Sequence, residues 1–196
     1  MVGFCISDDE VCCDASKDEI IRRYYDATNK MAKGACNENE ISKIQMLFNQ
    51  AKINTDFRRT TVAAKECLKR TGHTSSAIEL EDGTIVTAHS SLLLGCSAAL
   101  LLNVMKHLAG IDHDTKLIPQ SMIEPIQYTK VNYLGGHNPR LHTDEVLVAL
   151  SVLSNVDERC SRALAQLPKL RGCQVHCTVM LSEVDQKIFK KLGVNL

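Results

Sequence analysis

The Asp82-Gly83 pair constrains the fold of this chain more than any other feature of its sequence. It lies between Ser76-Ala-Ile-Glu-Leu-Glu and Thr84-Ile-Val-Thr-Ala, two runs in which β-formers alternate with other residues. Such a pair between such runs signals a tight β-hairpin, because the turn needs positive φ and both residues tolerate it. No strand pattern precedes it. Residues 8 to about 33 keep Val11, Ile20, Ile21, Tyr24, Ala27 and Met31 at roughly helical spacing. Ser7 with Glu10 and Ser16 with Glu19 form possible capping boxes, and Gly34 ends the helix. Asn37 with Glu40 starts a second helix along Ile41, Ile44, Leu47, Phe48 and Ala51. Thr55 caps a third over about 56–70, which Gly72 stops. The hairpin therefore marks the passage from a helical beginning to a mixed α/β remainder.

Beyond the hairpin, Ser90 and Ser91 offer caps for a helix over about 92–109, slim at Gly95, Ala98 and Ala99. Lys116-Leu-Ile is a short strand candidate, and Pro125 suits the start of a helix. Thr143 caps a helix over 144–154, and another covers about 157–167. Gln174-Val-His-Cys-Thr-Val-Met-Leu is a strand pattern, Ser182 caps a helix over 183–192, and Gly193 leads into the start of a last strand. Strand, helix and strand make a βαβ unit. The fold class is α/β, divided into a helical subdomain over 1–54 and an α/β subdomain over 55–196.

Composition narrows the function. Lys plus Arg equals Asp plus Glu at 23 each, and aromatic residues make up 4% with no Trp. A general nucleic-acid surface needs a basic excess or stacking rings, so no nucleic-acid partner is expected. The longest apolar stretch, 92–104, is broken by Gly95, Ser97 and Asn103 and is too short to span a bilayer, so no membrane partner is expected either. Nine Cys at irregular spacing, with no signal peptide, point to a reducing cytoplasm and to thiols buried as small hydrophobes.

The groups able to do chemistry gather in Leu134-Gly-Gly-His-Asn-Pro-Arg-Leu-His-Thr-Asp-Glu. Arg140 can clamp a carboxylate or phosphate, His137 and His142 can carry protons near neutral pH, and Asn138 before Pro139 favours an extended turn. The bland reading makes Asn138, Pro139 and Thr143 turn and cap residues and pairs Arg140 with Asp144 or Glu145. Elsewhere Cys173 and Cys177 fall on one side of a strand and His176 on the other, so they cannot share a zinc ion. Cys160 lies between Arg159 and Arg162 with no His nearby in sequence. No phosphate-loop pattern occurs. The chain has no assignable catalytic residue and no metal ligands; the candidate ligand-binding residues are Asn138, Arg140 and His142.

The order of helix, hairpin, small-residue helix start, strand and further α/β resembles the cytidine deaminase-type sandwich, which implies three α/β/α layers. The helix start that binds zinc there reads Gly95-Cys96-Ser97-Ala98 here. The accompanying Glu and Pro-Cys-x-x-Cys are absent, so the resemblance implies the scaffold without its zinc site.

Longer runs carry a second resemblance. Val2-Gly-Phe-Cys-Ile-Ser-Asp-Asp-Glu, Glu19-Ile-Ile-Arg-Arg-Tyr-Tyr, Asn138-Pro-Arg-Leu-His-Thr-Asp-Glu-Val-Leu and Gln166-Leu-Pro-Lys-Leu-Arg-Gly-Cys look like the C-terminal portion of the bacterial family filed as domain of unknown function 1846. That family is uncharacterised. Its full-length members have a larger N-terminal part with a Gly-rich, P-loop-like segment, and some have been labelled ATP-dependent zinc proteases. The resemblance implies a helical subdomain followed by a deaminase-like one. It also implies that this chain lacks the N-terminal part and stops early, near Val194-Asn195-Leu196. The expectation is a C-terminal module, non-catalytic alone, that docks on that N-terminal part and supplies Asn138, Arg140 and His142 to a shared ligand or nucleotide site. No cofactor is expected in this chain, while ATP is implied for the full-length family. The alternatives are a metal-dependent hydrolase, deaminase- or protease-like, and a homo-oligomer paired through the leading helices.

Overall fold

The computed structural model describes residues 8–35 and 38–196. The chain divides into two compact units that part between Arg59 and Thr60.

In the first unit α1 (Asp9–Ala32) packs on α2 (Glu38–Ala51), with the Tyr24 and Phe48 rings 5.3 Å apart. Asp8 caps α1 by accepting from the backbone N–H of Val11. The expected caps at Ser7 and Asn37 fall outside the described residues. Ser16 starts nothing; its hydroxyl bonds the carbonyl of Cys12 one turn back. After α2, Asn54 rather than Thr55 is the cap, and it opens only a 3-10 turn, Thr55–Phe57. Arg58 is extended, so the third helix, α3 (Arg59–Thr71), begins later than its apolar pattern suggests.

The second unit is built on the hairpin. Strand β1 (Ser75–Glu79) pairs antiparallel with β2 (Ile85–His89), from Ser75↔His89 to Glu79↔Ile85. Asp82 accepts from the backbone N–H of Thr84 and Gly83 sits at φ +78°, the conformation that the turn demands. The far edge of β1 pairs antiparallel with β3 (Gln174–Cys177), so the sheet order is β2-β1-β3. Ser75, Ser76, Ala77 and Ile78 are buried in succession, so both faces of the central strand are covered. Helix α4 (Cys96–Leu108) packs on β1 and β2 and also on α6 (Thr143–Leu153) and α7 (Glu158–Leu164). It is consequently apolar on most sides. Leu100, Leu101 and Met105 lose all exposure, each such side chain contributing roughly 1.5–3 kcal/mol of burial. Leu150 and Phe189 complete the same core, the latter from α8 (Glu183–Lys191), which packs on α6.

Several expectations are corrected here. Ser90 and Ser91 do not cap α4; Gly95 does, without a side-chain bond, and Ser91 Oγ instead accepts from the N–H groups of Leu93 and Leu94. Residues 116–118 form no strand: Leu117 and Ile118 are buried anchors of an irregular segment. Helix α5 (Gln120–Tyr128) does not begin at Pro125 but encloses it. Pro119 supplies the entry, and Gln120 bonds Glu124 one turn on. A π-helical turn, Thr129–Tyr133, follows. Strand β3 is four residues long, not eight. The terminal βαβ unit closes on a single parallel bridge, Gln174↔Asn195. The architecture is thus mixed α/β, with a three-stranded antiparallel sheet. Among the described residues no helix is long and apolar enough to cross a membrane.

Candidate functional site

The polar loop begins at the π turn. Gly135 has φ +67°, and the N–H of Gly136 donates to the carbonyl of Lys130 at 2.9 Å. A Cβ on Gly136 would lie 2.9 Å from that carbonyl oxygen, so glycine is required by contact. Asn138 then accepts from the backbone N–H of Arg140 at 3.1 Å, which is the turn role that the bland reading assigns to it. Arg140 pairs with neither Asp144 nor Glu145. Its Nε donates to the carbonyl of Ser91 at 2.6 Å, and its two terminal nitrogens donate to no group among the described residues. Lys130 takes Glu145 instead, at 2.8 Å, and also donates to the carbonyl of Arg140.

Leu141 fixes this loop to the core. It is fully buried and exchanges backbone bonds with Leu93 and Gly95, forming the Leu94↔Leu141 bridge. The start of α4 and the start of α6 are therefore neighbours. His142, not Thr143, is the N-cap of α6, and Glu145 reaches back to accept from its N–H at 2.7 Å. The ring Nδ1 of His142 lies 2.9 Å from Asp185 on α8 and 3.3 Å from Ser182 Oγ. Ser182 caps α8 as expected, accepting from Asp185 N–H.

Asp185 is the hub, and sequence reasoning missed it. It is 3% exposed and accepts from the Thr143 N–H, the Thr143 hydroxyl, the Ser182 hydroxyl and the His142 ring. Burial pushes its carboxyl up, but the bonds from His142, Thr143 and Ser182 outweigh this and hold it at about 2. The same bond from Asp185 raises the His142 pKa above its ordinary value, against the opposing effect of burial. An ionised Asp185 requires Nδ1 to carry its proton, so Nε2 is the nitrogen that loses or accepts one. Nε2 has no hydrogen-bond partner among the described residues. The one sequence signal of Asp185 was its place three residues after Ser182, where an acid ordinarily caps its own helix; here it caps α6 as well.

Cys96 begins α4, and its thiol hydrogen-bonds Cys177, which with the N–H of Ser97 lowers its pKa despite burial. It does not bond His142. Cys160 is fully buried against the carbonyl of Leu117 and its thiol pKa is pushed up by that burial. Cys173 is likewise raised by burial. His137 is exposed and makes no bond among the described residues. Among the described residues no group of three or more His, Cys, Asp or Glu side chains is gathered around one point.

Fold and site together define a mixed α/β protein in which a buried aspartate joins two helix starts and orients one histidine. The chain belongs to the DUF1846 family: its residues 56–196 match the model described as domain of unknown function DUF1846, C-terminal, and residues 1–52 match the corresponding N-terminal model. The chain is therefore not confined to the C-terminal portion, as the sequence resemblance implied. It is 51% identical to a UPF0371 protein of Corynebacterium urealyticum over 99% of this chain and 39% of that protein. It is 47% identical to one of Corynebacterium diphtheriae over 99% and 39%, and 42% identical to one of Streptococcus thermophilus over 100% and 40%. The chain thus spans about two fifths of the length of these curated relatives.

Proposed function

We propose that this chain contributes one wall of a ligand site, with Arg140 and His142 facing the ligand and Asn138 shaping the loop between them, and that the remainder of a longer family protein completes it. The chain alone is non-catalytic. The observation that carries the reading is the His142–Asp185 pair: a ring locked through Nδ1, its pKa raised by the bond to Asp185 and its Nε2 left without a described partner, at the start of α6. The unengaged terminal nitrogens of Arg140 and the positive helix start suit a phosphate or carboxylate. The neighbouring Glu145 does not oppose this, since Lys130 already pairs with it. A nucleotide such as ATP is the ligand we favour. The deaminase-like scaffold and the cytoplasmic setting belong to the same proposal; the second is supported by the seven described cysteines being free thiols. So does the absence of a nucleic-acid or membrane partner, supported by the balanced charge. A second reading pairs two copies through α1 and α2, and light scattering with and without residues 1–53 tests it.

The test is to mix this chain with the separately produced remainder of a UPF0371 relative and to titrate ATP by calorimetry. Association, with binding weakened about tenfold or more by Arg140→Ala and by His142→Asn, supports the proposal. No association, or ATP binding unchanged by both substitutions, contradicts it.

A further inference from the structure

A cavity of about 320 Å³ opens between α4 and the 113–123 segment. Its walls are mostly apolar, from Leu94, Leu102, Leu117, Ile118 and Ile123. Into this lining α4 brings Lys106, which is only 9% exposed. A buried ammonium ordinarily has a carboxylate against it. Lys106 has none. Its Nζ donates to the carbonyls of His113 and Thr115, and although Asp112 and Asp114 are near enough to favour its charge, neither forms an ion pair with it. Burial consequently lowers its pKa. An ammonium has three N–H donors, and two are spent, leaving one. Asn103 is one turn earlier on α4 and also lines the cavity. One of its amide hydrogens goes to the carbonyl of Thr87 at 3.2 Å, leaving the other. Residues three apart on a helix share a face, so one cationic and one neutral donor are left over side by side.

We infer that this cavity binds a small monocarboxylate with an apolar body, its carboxylate held by Lys106 and Asn103. Two unspent donors match the two oxygens of a carboxylate. A phosphate would bring a third oxygen and a second charge against the carbonyls of His113 and Thr115, where Lys106 and Asn103 offer only two unspent donors. The volume suits a chain of several carbons and is at the small end of ligand cavities. The exposed Asp114 and Lys116 also line the cavity with opposite charges, so they give no net preference for sign. The choice of an anion rests with Lys106. The site is independent of the His142 proposal, and either can fail alone.

The experiment uses sodium octanoate as the probe, with the neutral octanol as control, followed by amide chemical shifts of the whole chain. Octanoate is expected to shift amides around 93–94, 102–106 and 113–120 and to bind about tenfold or more tightly than octanol. Lys106→Met, which keeps the stem and removes the charge, is expected to abolish that preference, while Lys106→Arg keeps part of it. Absence of octanoate binding overturns the inference. So does equal binding of octanoate and octanol by the native chain, a comparison that needs no folded variant. Octanoate binding of unchanged strength in folded Lys106→Met overturns it as well.

Discussion

Asp185 decides the chemistry of its neighbours at the scale of single residues. It holds a charge inside the protein only because four donors converge on it, and His142 is one of them. Removing the carboxylate in Asp185→Ala leaves the Thr143 N–H and the His142 ring without their acceptor. We expect a loss of about 3–5 kcal/mol, the range for breaking a buried pair, measured by urea unfolding. The pH dependence follows with its sign. The folded pKa of Asp185 is depressed from 3.8, so its contribution is present above pH 3.8 and is lost as pH falls through about 2. That of His142 is raised from 6.5, so its contribution is present below pH 6.5 and is lost as pH rises through the raised value. The stability difference between native protein and Asp185→Asn is therefore expected to be largest between about pH 4 and 6.5. In a histidine NMR titration the His142 pKa lies above 6.5 in the native chain and falls on Asp185→Asn. The sequence made His142 and Ser182 legible, because each sits at a recognisable helix start. It hid Asp185, whose main partners lie 42 and 43 residues away.

At the scale of elements, local signals succeeded where the local chain decides and failed where tertiary contacts do. The hairpin at Asp82-Gly83 needs a turn conformation that its own residues supply, so its position was legible. The start of α4 was not. Ser90 and Ser91 are good caps in isolation, but residues 92–95 are drawn into pairing with Leu141, which delays the helix to Cys96. Thr143 was misread for a similar reason: the acceptor for its N–H and hydroxyl is on α8, not on its own helix. The π turn before the loop left no pattern in the apolar spacing. Its dependence on Gly136 is testable. Gly136→Ala puts a Cβ against the carbonyl of Lys130, and we expect a loss of about 1–3 kcal/mol in unfolding free energy. Glu145→Ala removes both the bond to the His142 N–H and the partner of Lys130. We expect about 1 kcal/mol less stability, with greater protease sensitivity in residues 130–142.

Considered as a whole molecule, the chain has its large core in residues 60–196, which carry the sheet and the buried faces of α4, α6 and α8. The first unit buries few apolar side chains, Ile21, Ala27 and Ile44 among them. We expect residues 60–196 expressed alone to unfold cooperatively by circular dichroism, and residues 1–59 alone to show no cooperative transition. The α/β class was readable from the shift of pattern near residue 75. The size and direction of the sheet were not, because pairing between β1 and β3 joins strands about a hundred residues apart and leaves no local trace. The candidate site was half legible for the same reason. Its loop is continuous in sequence, but the acid that orients it comes from α8.

The most direct test is the ring resonance of His142 in an isotope-labelled chain, followed as the remainder of a UPF0371 relative and then ATP are added. The account predicts that the Nε2 signal shifts and that the His142 pKa rises further on ATP addition, as an anion approaches the free nitrogen. ATP binding by the assembled protein that leaves the His142 signal and its titration unchanged would contradict it.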